Sequence, residues 1–222
     1  MQEENDVNEY VAFGIFGVIS NLAAAFADVP LNKPGKPTGD DKISLTGVQP
    51  WWAEVPDKRF KVSFWLSFLG QPGAYVVLWL LADLIADNNT ALAMALKINT
   101  FISCYTGLLS HLYFCLRPLL YQKLSKKMSD EESEDVMRAI NPVANIPMLI
   151  AGLTLWLGGT ILVAIAILTG ALAVSKWCLL LNPIVAVLVL SKLKKCGVRV
   201  IGALGVGYML LSVLLIIAGM YL

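Results

Sequence analysis

Six stretches of the chain are apolar over the length that an α-helix needs to cross a lipid bilayer, about 20 residues at a rise of about 1.5 Å each. Polar segments of different lengths separate these stretches. The stretches cover residues 10–29, 63–86, 91–114, 142–169, 174–190 and 200–222. The pattern predicts an all-α fold, formed as a single integral membrane bundle of six transmembrane helices.

The first polar segment, residues 30–62, is long and rich in proline and glycine. A loop of more than about 12–15 residues without structure of its own is usually functional or disordered. Trp51 and Trp52 in this loop are expected at the aromatic belt of a membrane–water interface. Two interpretations stay open: a lid that folds over the cytoplasmic face, or a surface loop that is tethered at both ends.

Residues 129–140 are predicted to form a short cytoplasmic helix between two spans. Ser129 is followed three positions later by Glu132, which matches a capping box at a helix start. Acidic residues fill the first half of the segment, where the helix dipole favours them. We interpret this helix as a solvated connector.

The composition agrees with a membrane protein, because 57% of the residues are hydrophobic, against about 45–50% in soluble domains. The formal net charge is only +1, and the chain has no basic block of the kind that binds nucleic acid. The position of the charges is more informative. Of the 17 Lys and Arg residues, all but Lys97 and Lys176 lie in the loops after the first, third and fifth predicted helices. Because cytoplasmic loops carry the Lys and Arg excess, both termini are predicted on the non-cytoplasmic side of the cell membrane.

The histidine and cysteine content argues against a metal centre. The chain has four cysteines, Cys104, Cys115, Cys178 and Cys196, and His111 is its one histidine. A structural zinc site needs four nitrogen or sulfur ligands, and no C-x-x-C pair is present. We expect free thiols, no metal and no cofactor.

A stripe of small and polar residues follows one face of the first predicted helix. Gly14, Gly17, Asn21, Ala24 and Asp28 recur at steps of three or four residues. Small residues in such a stripe allow two helices to approach closely. Asp28 ends the stripe at the predicted cytoplasmic boundary.

The third predicted helix carries a similar stripe of Thr100, Cys104, Gly107 and His111, with His111 at its cytoplasmic end. Polar residues within spans usually face the bundle interior or a water-filled cavity. Several of them are predicted near the cytoplasmic side, and a polar cavity open to the cytoplasm would accommodate them all. They are Asp28, Gln71, His111, Asn141 and Asn145.

Asp28 and His111 are the candidate catalytic residues, because histidine titrates near neutral pH and a carboxylate can orient or charge it. Polar side chains on other predicted helices are candidates for binding a substrate. These are Asn21, Arg59, Gln71, Asn141, Asn145 and Asn182. A purely structural interpretation stays open, in which Asp28 caps a loop and His111 is hydrogen-bonded at a helix interface.

On the opposite side of the predicted membrane, Asp83 lies near the end of the second helix and Lys97 about two turns into the third. An ion pair between the two helices is one interpretation, because an unpaired charge at that depth is unfavourable. The other interpretation is that Lys97 extends towards the interface.

Short motifs are spread in a characteristic order over most of the chain. They are Ala27-Asp28, Ser44-Leu45-Thr46-Gly47, Arg59-Phe60 ahead of Ser63, Leu69-Gly70, His111 with Cys115, and Asn182-Pro183-Ile184. Together they resemble a family of uncharacterised, mostly bacterial, polytopic integral-membrane proteins. The chain departs from that pattern at Ala27, where glycine is expected. The resemblance implies a helical membrane fold, a place in the bacterial inner membrane and a site at Asp28, Arg59 and His111, but it implies no reaction.

Three functions are compatible with the sequence. The first is a membrane-embedded enzyme that uses acid/base chemistry on a lipid-like or isoprenoid-like substrate. The second is a small transporter or lipid-binding protein with helices broken at Pro72, Pro147 and Pro183. The third is a non-catalytic membrane protein for assembly or sensing. The expected partners are membrane lipid and a lipid-like ligand, and the sequence does not define an oligomeric state.

Overall fold

The computed structural model describes residues 2–32, 48–196 and 202–221. Helices account for most of this part of the chain, and it contains no strand. The α-helices are α1 (Gln2–Ala27), α2 (Lys58–Ala86), α3 (Thr90–Leu124), α4 (Asp130–Ala151), α5 (Gly159–Thr169), α6 (Pro183–Lys195) and α7 (Ala203–Gly219). The short 3₁₀ helices are Val29–Leu31, Pro50–Glu54 and Lys176–Leu181, and a π-helix covers Gly152–Gly158.

Four helical segments are long and apolar enough to cross a membrane: Glu9–Leu31, Lys58–Ala86, Thr90–Leu124 and Asp130–Thr169. They cover the first four predicted spans. Pro183–Leu193 and Ala203–Gly219 are shorter apolar helices. The all-helical prediction is therefore confirmed for the described residues, and four of the six predicted spans have the length of a crossing.

Close approach of backbones joins α1 to α2 and α7, the two helices against which α1 packs most extensively. A Cβ atom on Gly70 would lie 2.5 Å from the Ala24 backbone nitrogen, and one on Gly205 would lie 2.5 Å from the Ala25 nitrogen. Only glycine permits these contacts. The small-residue stripe of α1 thus lies at helix interfaces, as the sequence predicts.

The helix expected at residues 129–140 is not a separate connector. Its capping box forms as predicted: Glu132 N donates to Ser129 Oγ at 3.3 Å, and Ser129 N donates to Glu132 Oε2 at 2.9 Å. The helix then continues through Pro142 and Pro147 into the π-helix and α5. Pro142 and Pro147 lie within this helix, as Pro72 lies within α2, so the prediction of helix breaks at Pro72 and Pro147 is wrong.

Side chains from two other helices donate hydrogen bonds to carbonyl groups of the π-helix. Asn99 Nδ2 of α3 donates to the Thr154 carbonyl at 3.1 Å, and Tyr208 Oη of α7 donates to the Leu155 carbonyl at 2.5 Å. These donors satisfy carbonyl groups that an irregular helix would otherwise leave without partners.

The fifth predicted span, residues 174–190, is broken rather than continuous. A 3₁₀ helix, Lys176–Leu181, precedes α6, and Asn182 lies between them in an extended conformation. Asn182 Oδ1 accepts from the Ile184 backbone N–H at 2.9 Å, and its Nδ2 donates to the Thr160 carbonyl at 3.0 Å. Pro183 follows as the first residue of α6, where a missing N–H costs nothing.

Two apolar clusters form the core. The larger one lies between α2, α3, α5 and α7 and contains Leu78, Leu81, Leu96, Leu211 and Leu214. The smaller one lies at the Lys58 end of α2. It contains Trp51, Trp52, Phe60, Tyr121 and Met137.

The tryptophan cap, residues 48–57, supplies both tryptophans of the smaller cluster. Trp51 and Trp52 are only 8% and 7% exposed, so the expectation that they form part of an aromatic belt is wrong. They pack on the ends of α2 and α3 instead. Burial between helices removes more of their apolar surface from water than a place at the membrane interface would. This part of the loop is an ordered cover; residues 33–47, with the motif Ser44–Gly47 and three of the basic residues, lie outside the described part of the chain.

The cap leads directly into α2. Asp57 precedes the helix, and its Oδ2 accepts from Lys61 Nζ at 2.7 Å. This hydrogen bond lowers the pKa of the exposed Asp57 carboxyl, which stays ionised at neutral pH beside the positive end of the α2 dipole.

Candidate functional site

Ser63 is the centre of a polar cluster that joins α1, α2 and α3. Its hydroxyl lies in the second turn of α2 and is fully buried. Ser63 Oγ donates to the Ala27 carbonyl at 2.7 Å, accepts from Cys115 Sγ at 3.4 Å and lies 3.3 Å from His111 Nε2. One hydroxyl therefore ties the last residue of α1 to two successive turns of α3.

The directions of these hydrogen bonds define the state of His111. A carbonyl oxygen can only accept, so the single proton of Ser63 is used on Ala27. His111 must then donate to Ser63 from Nε2, which leaves Nδ1 of the neutral ring as an acceptor. A serine nucleophile needs the opposite direction, with its hydroxyl donating to histidine. The arrangement makes Ser63 an organising group and not a nucleophile.

Asp28 follows α1 directly and lies beside this cluster. Its carboxylate faces the start of α7, where a Cβ on Gly202 would overlap Oδ2. Its backbone carbonyl accepts from Asn32 Nδ2 at 2.8 Å. Within residues 2–32, 48–196 and 202–221, no salt bridge involves Asp28, and the hydrogen bond of His111 goes to Ser63 rather than to Asp28. The structure thus places Asp28 and His111 in one region without a direct bond, and their catalytic role stays a prediction.

Arg59 connects the region around Asp28 to the tryptophan cap. Its Nη2 donates to the Asn32 carbonyl at 2.8 Å, and its guanidinium lies 5.8 Å from the Trp51 ring centroid. Arg59 is therefore close to the site, as predicted, but it acts on backbone and an aromatic ring. Its predicted role in binding a substrate is untested.

Asn141 and Asn145 lie on α4 and form a second polar region with α3. Tyr113 Oη donates to Asn141 Oδ1 at 2.6 Å, and the guanidinium of Arg117 lies 5.5 Å from the Tyr113 ring centroid. Asn145 Oδ1 is buried and has no hydrogen-bond partner among the described residues. These residues are separate from the Ser63 cluster in their contacts, although both regions lie towards the cap end of α3.

The remaining predicted binding residues are engaged in packing. Asn21 Nδ2 donates to the Gly17 carbonyl at 2.8 Å and to Ser212 Oγ of α7 at 3.2 Å. Gln71 Nε2 donates to Ser67 Oγ at 2.7 Å and its Oε1 accepts from Tyr75 Oη at 3.2 Å. Gln71 is thus bonded within α2, whereas Asn21 joins α1 to α7 and Asn182 joins the start of α6 to α5.

Sequence reasoning overlooked two residues at this end of the molecule, Ser63 and Gln122. A single serine or glutamine in a helix gives no periodic signal, because its importance comes from groups that are distant in sequence. The resemblance to a known family did include Ser63 next to Arg59-Phe60, and Cys115 one turn after His111.

The opposite end of α2 carries the ion pair that the sequence raised as one of two interpretations. Lys97 Nζ lies 2.5 Å from Asp83 Oδ1 and 5.2 Å from the Trp79 ring centroid. All four cysteines are free, as expected. No group of three or more histidine, cysteine, aspartate or glutamate side chains is placed to hold a metal ion in the part of the chain that the structure describes.

The described residues form an all-helical bundle with four helices long and apolar enough to cross a membrane, and with a polar cluster at one end. The whole chain, residues 1–222, matches the profile of a family of unknown function (DUF6796). The protein therefore belongs to that family. No curated protein and no solved structure matches the chain.

Proposed function

We propose that the protein crosses the cell membrane six times, as a bacterial inner-membrane protein with both termini on the non-cytoplasmic side. The four long apolar helices supply four crossings, and α6 and α7 supply the other two. The charge distribution supports this topology, because the basic loops all fall on one side. In this orientation the Ser63 cluster and the tryptophan cap face the cytoplasm.

Reporter tags at the two ends of the chain test the topology. A tag that is active only in the periplasm should be active at both ends. A tag placed after Leu124, in the loop before Ser129, should be active only in the cytoplasm. Opposite results for the two termini would require an odd number of crossings and would therefore contradict six.

At this cytoplasmic end, the protein acts on the polar group of a lipid-like substrate by acid/base chemistry. The observation that carries this proposal is the convergence of His111 and Cys115 on Ser63, whose hydroxyl donates to the carbonyl of Ala27, the residue before Asp28. A protonated carboxyl group and a neutral imidazole in one region can supply and accept a proton in the same reaction. The lipid-facing helices around the region would give a long apolar substrate direct access to it.

In the proposed reaction His111 is the proton acceptor through Nδ1. This nitrogen has no hydrogen-bond partner among the described residues, whereas Nε2 is held by Ser63. The Ser63 bond fixes the tautomer and the ring orientation, which is what a general base needs. Asp28 supplies the second ionisable group, and Arg59, with Asn141 and Asn145 of the second polar region, orients the substrate.

Mass spectrometry of lipids tests this function without a known substrate. The purified protein in nanodiscs is incubated with total lipid extract of a bacterial membrane, and retained and altered lipids are identified. The wild-type protein should convert one lipid class. Asp28→Asn and His111→Ala should each lower the conversion rate about 100-fold, the contribution typical of general acid–base catalysis. Asp83→Asn, at the other end of α2, is the matched control.

A non-catalytic role is the second candidate, and one observation favours it. Every hydrogen bond of Ser63 is satisfied within the protein, as in a structural joint between helices. Retention of a lipid without conversion would indicate a lipid-binding protein or transporter. Neither retention nor conversion, together with a stoichiometric partner on purification, would indicate an assembly role.

A further inference from the structure

Gln122 forms an unusual pair of hydrogen bonds with the tryptophan cap. Its Nε2 donates to the Trp52 carbonyl at 2.7 Å and to the Val55 carbonyl at 2.6 Å. The amide is 7% exposed and lies in the last turns of α3. Buried hydrogen bonds of this kind are expensive to leave unmade, because the carbonyl groups lose their partner without regaining water.

Aromatic and cationic contacts support the same attachment. The Trp52 ring lies 6.1 Å from the Tyr121 ring, and the Arg117 guanidinium lies 5.3 Å from the Trp52 centroid. Trp51 packs on Phe60 of α2 at 6.3 Å. The cap is therefore fastened at α3 by Gln122 and Arg117, and at α2 by apolar packing.

The cap lies directly above the Ser63 cluster along the helix axes. Phe60 precedes Ser63 by three residues on α2, which is about 4.5 Å of helix. On α3, Tyr121 and Arg117 lie between the cap and Cys115. In the topology proposed above, Trp51 and Trp52 would therefore cover Ser63, His111 and Cys115 on the cytoplasmic side.

We propose that Gln122 is a positioning residue that fastens the tryptophan cap over the Ser63 cluster and so controls access from the water phase. The bonds to two carbonyls of one short turn hold that turn as a unit, so their loss loosens the turn at α3 and leaves only the aromatic and cationic contacts. The inference rests on the proposed site at Asp28 and His111. It concerns access to that site, which can be measured without any knowledge of the reaction.

Native cysteines provide the readout. Cys115 is buried beneath the cap and contacts Ser63, Cys178 is buried in the 3₁₀ helix before α6, and Cys196 is exposed. A small, permanently charged methanethiosulfonate reagent reaches thiols only through water. The purified protein in nanodiscs is treated with it, and labelling of each cysteine is followed by mass spectrometry.

In the wild-type protein, Cys196 should label rapidly and Cys115 slowly. Gln122→Leu should raise the labelling rate of Cys115 about tenfold, the change in open population expected from the loss of two ordinary hydrogen bonds. Gln122→Glu keeps the side-chain volume but places an acceptor against two carbonyls, so it should have the same effect if the leucine variant does not fold.

Asn182→Leu is the matched control, because Asn182 is also a buried amide, 9% exposed, that donates to a backbone carbonyl. It should leave Cys115 labelling unchanged. Unchanged Cys115 labelling in both Gln122 variants would overturn the proposal, and so would an equal rise at Cys178, which would indicate general loosening. These outcomes do not depend on lipid conversion. The proposed role of Gln122 and the tryptophan cap can therefore be contradicted separately from the proposed chemistry.

Discussion

The charged and polar groups are arranged differently at the two ends of α2. At the Ala86 end, Asp83 and Lys97 neutralise each other at 2.5 Å, and Trp79 lies next to the ammonium group. At the Lys58 end, no salt bridge joins the Asp28 carboxylate to another described residue, and a hydroxyl, a thiol and an imidazole form one cluster. At the Ala86 end, each charge is paired with the opposite charge. The Lys58 end contains groups that can still exchange a proton, and the tryptophan cap lies next to it.

This difference separates two reasons for placing polar groups in a membrane helix. An ion pair whose two charges neutralise each other lowers the cost of placing those charges in a membrane helix, and it needs no further function. A cluster with an ionisable group, and with a ring nitrogen that has no hydrogen-bond partner among the described residues, is not required for helix packing. The predictions below test whether the Lys58 end is functional and the Ala86 end structural, from the largest expected effect to the smallest.

The largest loss of stability is expected for Gly70→Ala, which affects the contact between α1 and α2 on which the Lys58 end depends. The new Cβ would lie 2.5 Å from the Ala24 nitrogen and 2.7 Å from the Ser20 carbonyl oxygen, so backbone must move. We expect a loss of about 3 kcal/mol in the free energy of unfolding, measured in detergent micelles. Gly152→Ala is the control, because nothing lies within 4 Å of its Cβ position. An equal loss in both variants would refute the role of close approach.

A smaller loss is expected for Ser63→Ala, which removes the centre of the polar cluster. The Ala27 carbonyl and His111 Nε2 would lose a buried partner, at a cost of about 2 kcal/mol. Ser133 is also fully buried, but its Oγ has no hydrogen-bond partner among the described residues. Ser133→Ala should therefore leave thermal unfolding unchanged or raise the midpoint. If the two variants behave alike, the hydrogen bonds of Ser63 contribute nothing.

Lys97→Met tests the Ala86 end. The side chains of Lys97 and Asp83 are 27% and 33% exposed, so we expect the loss of the pair to cost only about 1 kcal/mol. Asp83→Asn combined with Lys97→Met should recover part of this loss, because no charge is left behind. A double-mutant cycle with additive effects would show that the ion pair is not coupled.

The smallest effect on stability is expected for Asp28→Asn. The substitution preserves shape, and no salt bridge of Asp28 exists among the described residues, so the free energy of unfolding should change by less than about 0.5 kcal/mol. Lipid conversion should nevertheless be lost. A destabilisation as large as that of Gly70→Ala would instead assign the carboxylate a structural role at Gly202, the start of α7.

Much of the helix arrangement follows from periodic patterns in the sequence. The stripe of Gly14, Gly17, Asn21 and Ala24 is repeated over several turns, so its place at helix interfaces could be predicted. The break at Asn182 could not, because an Asn-Pro pair is compatible both with a kink and with a new helix. The π-helix at Gly152–Gly158 also escaped prediction, since Asn99 and Tyr208, which hold it, are distant in sequence.

The candidate site was predictable in part. Asp28 and His111 are ionisable residues in apolar stretches, and this rarity alone identifies them. The bond of His111 to Ser63 rather than to Asp28 depends on the relative rotation of α2 and α3, which periodicity does not define. The two tryptophans of the cap were assigned to the lipid interface because composition cannot distinguish that interface from a buried helix end.

The π-helix also sets the rotation of α4 relative to α5. Each residue of an α-helix turns the chain by about 100°, and a π turn accommodates one residue more than an α turn of the same length. If Gly152–Gly158 continued as an unbroken α-helix of the same length, the whole face with Asn141 and Asn145 would point about 100° away from α3, whereas a chain shortened by one residue there would keep that face in place. The angular position of that polar face is thus encoded in the spacing of this segment, at a site more than one helical turn away from either asparagine.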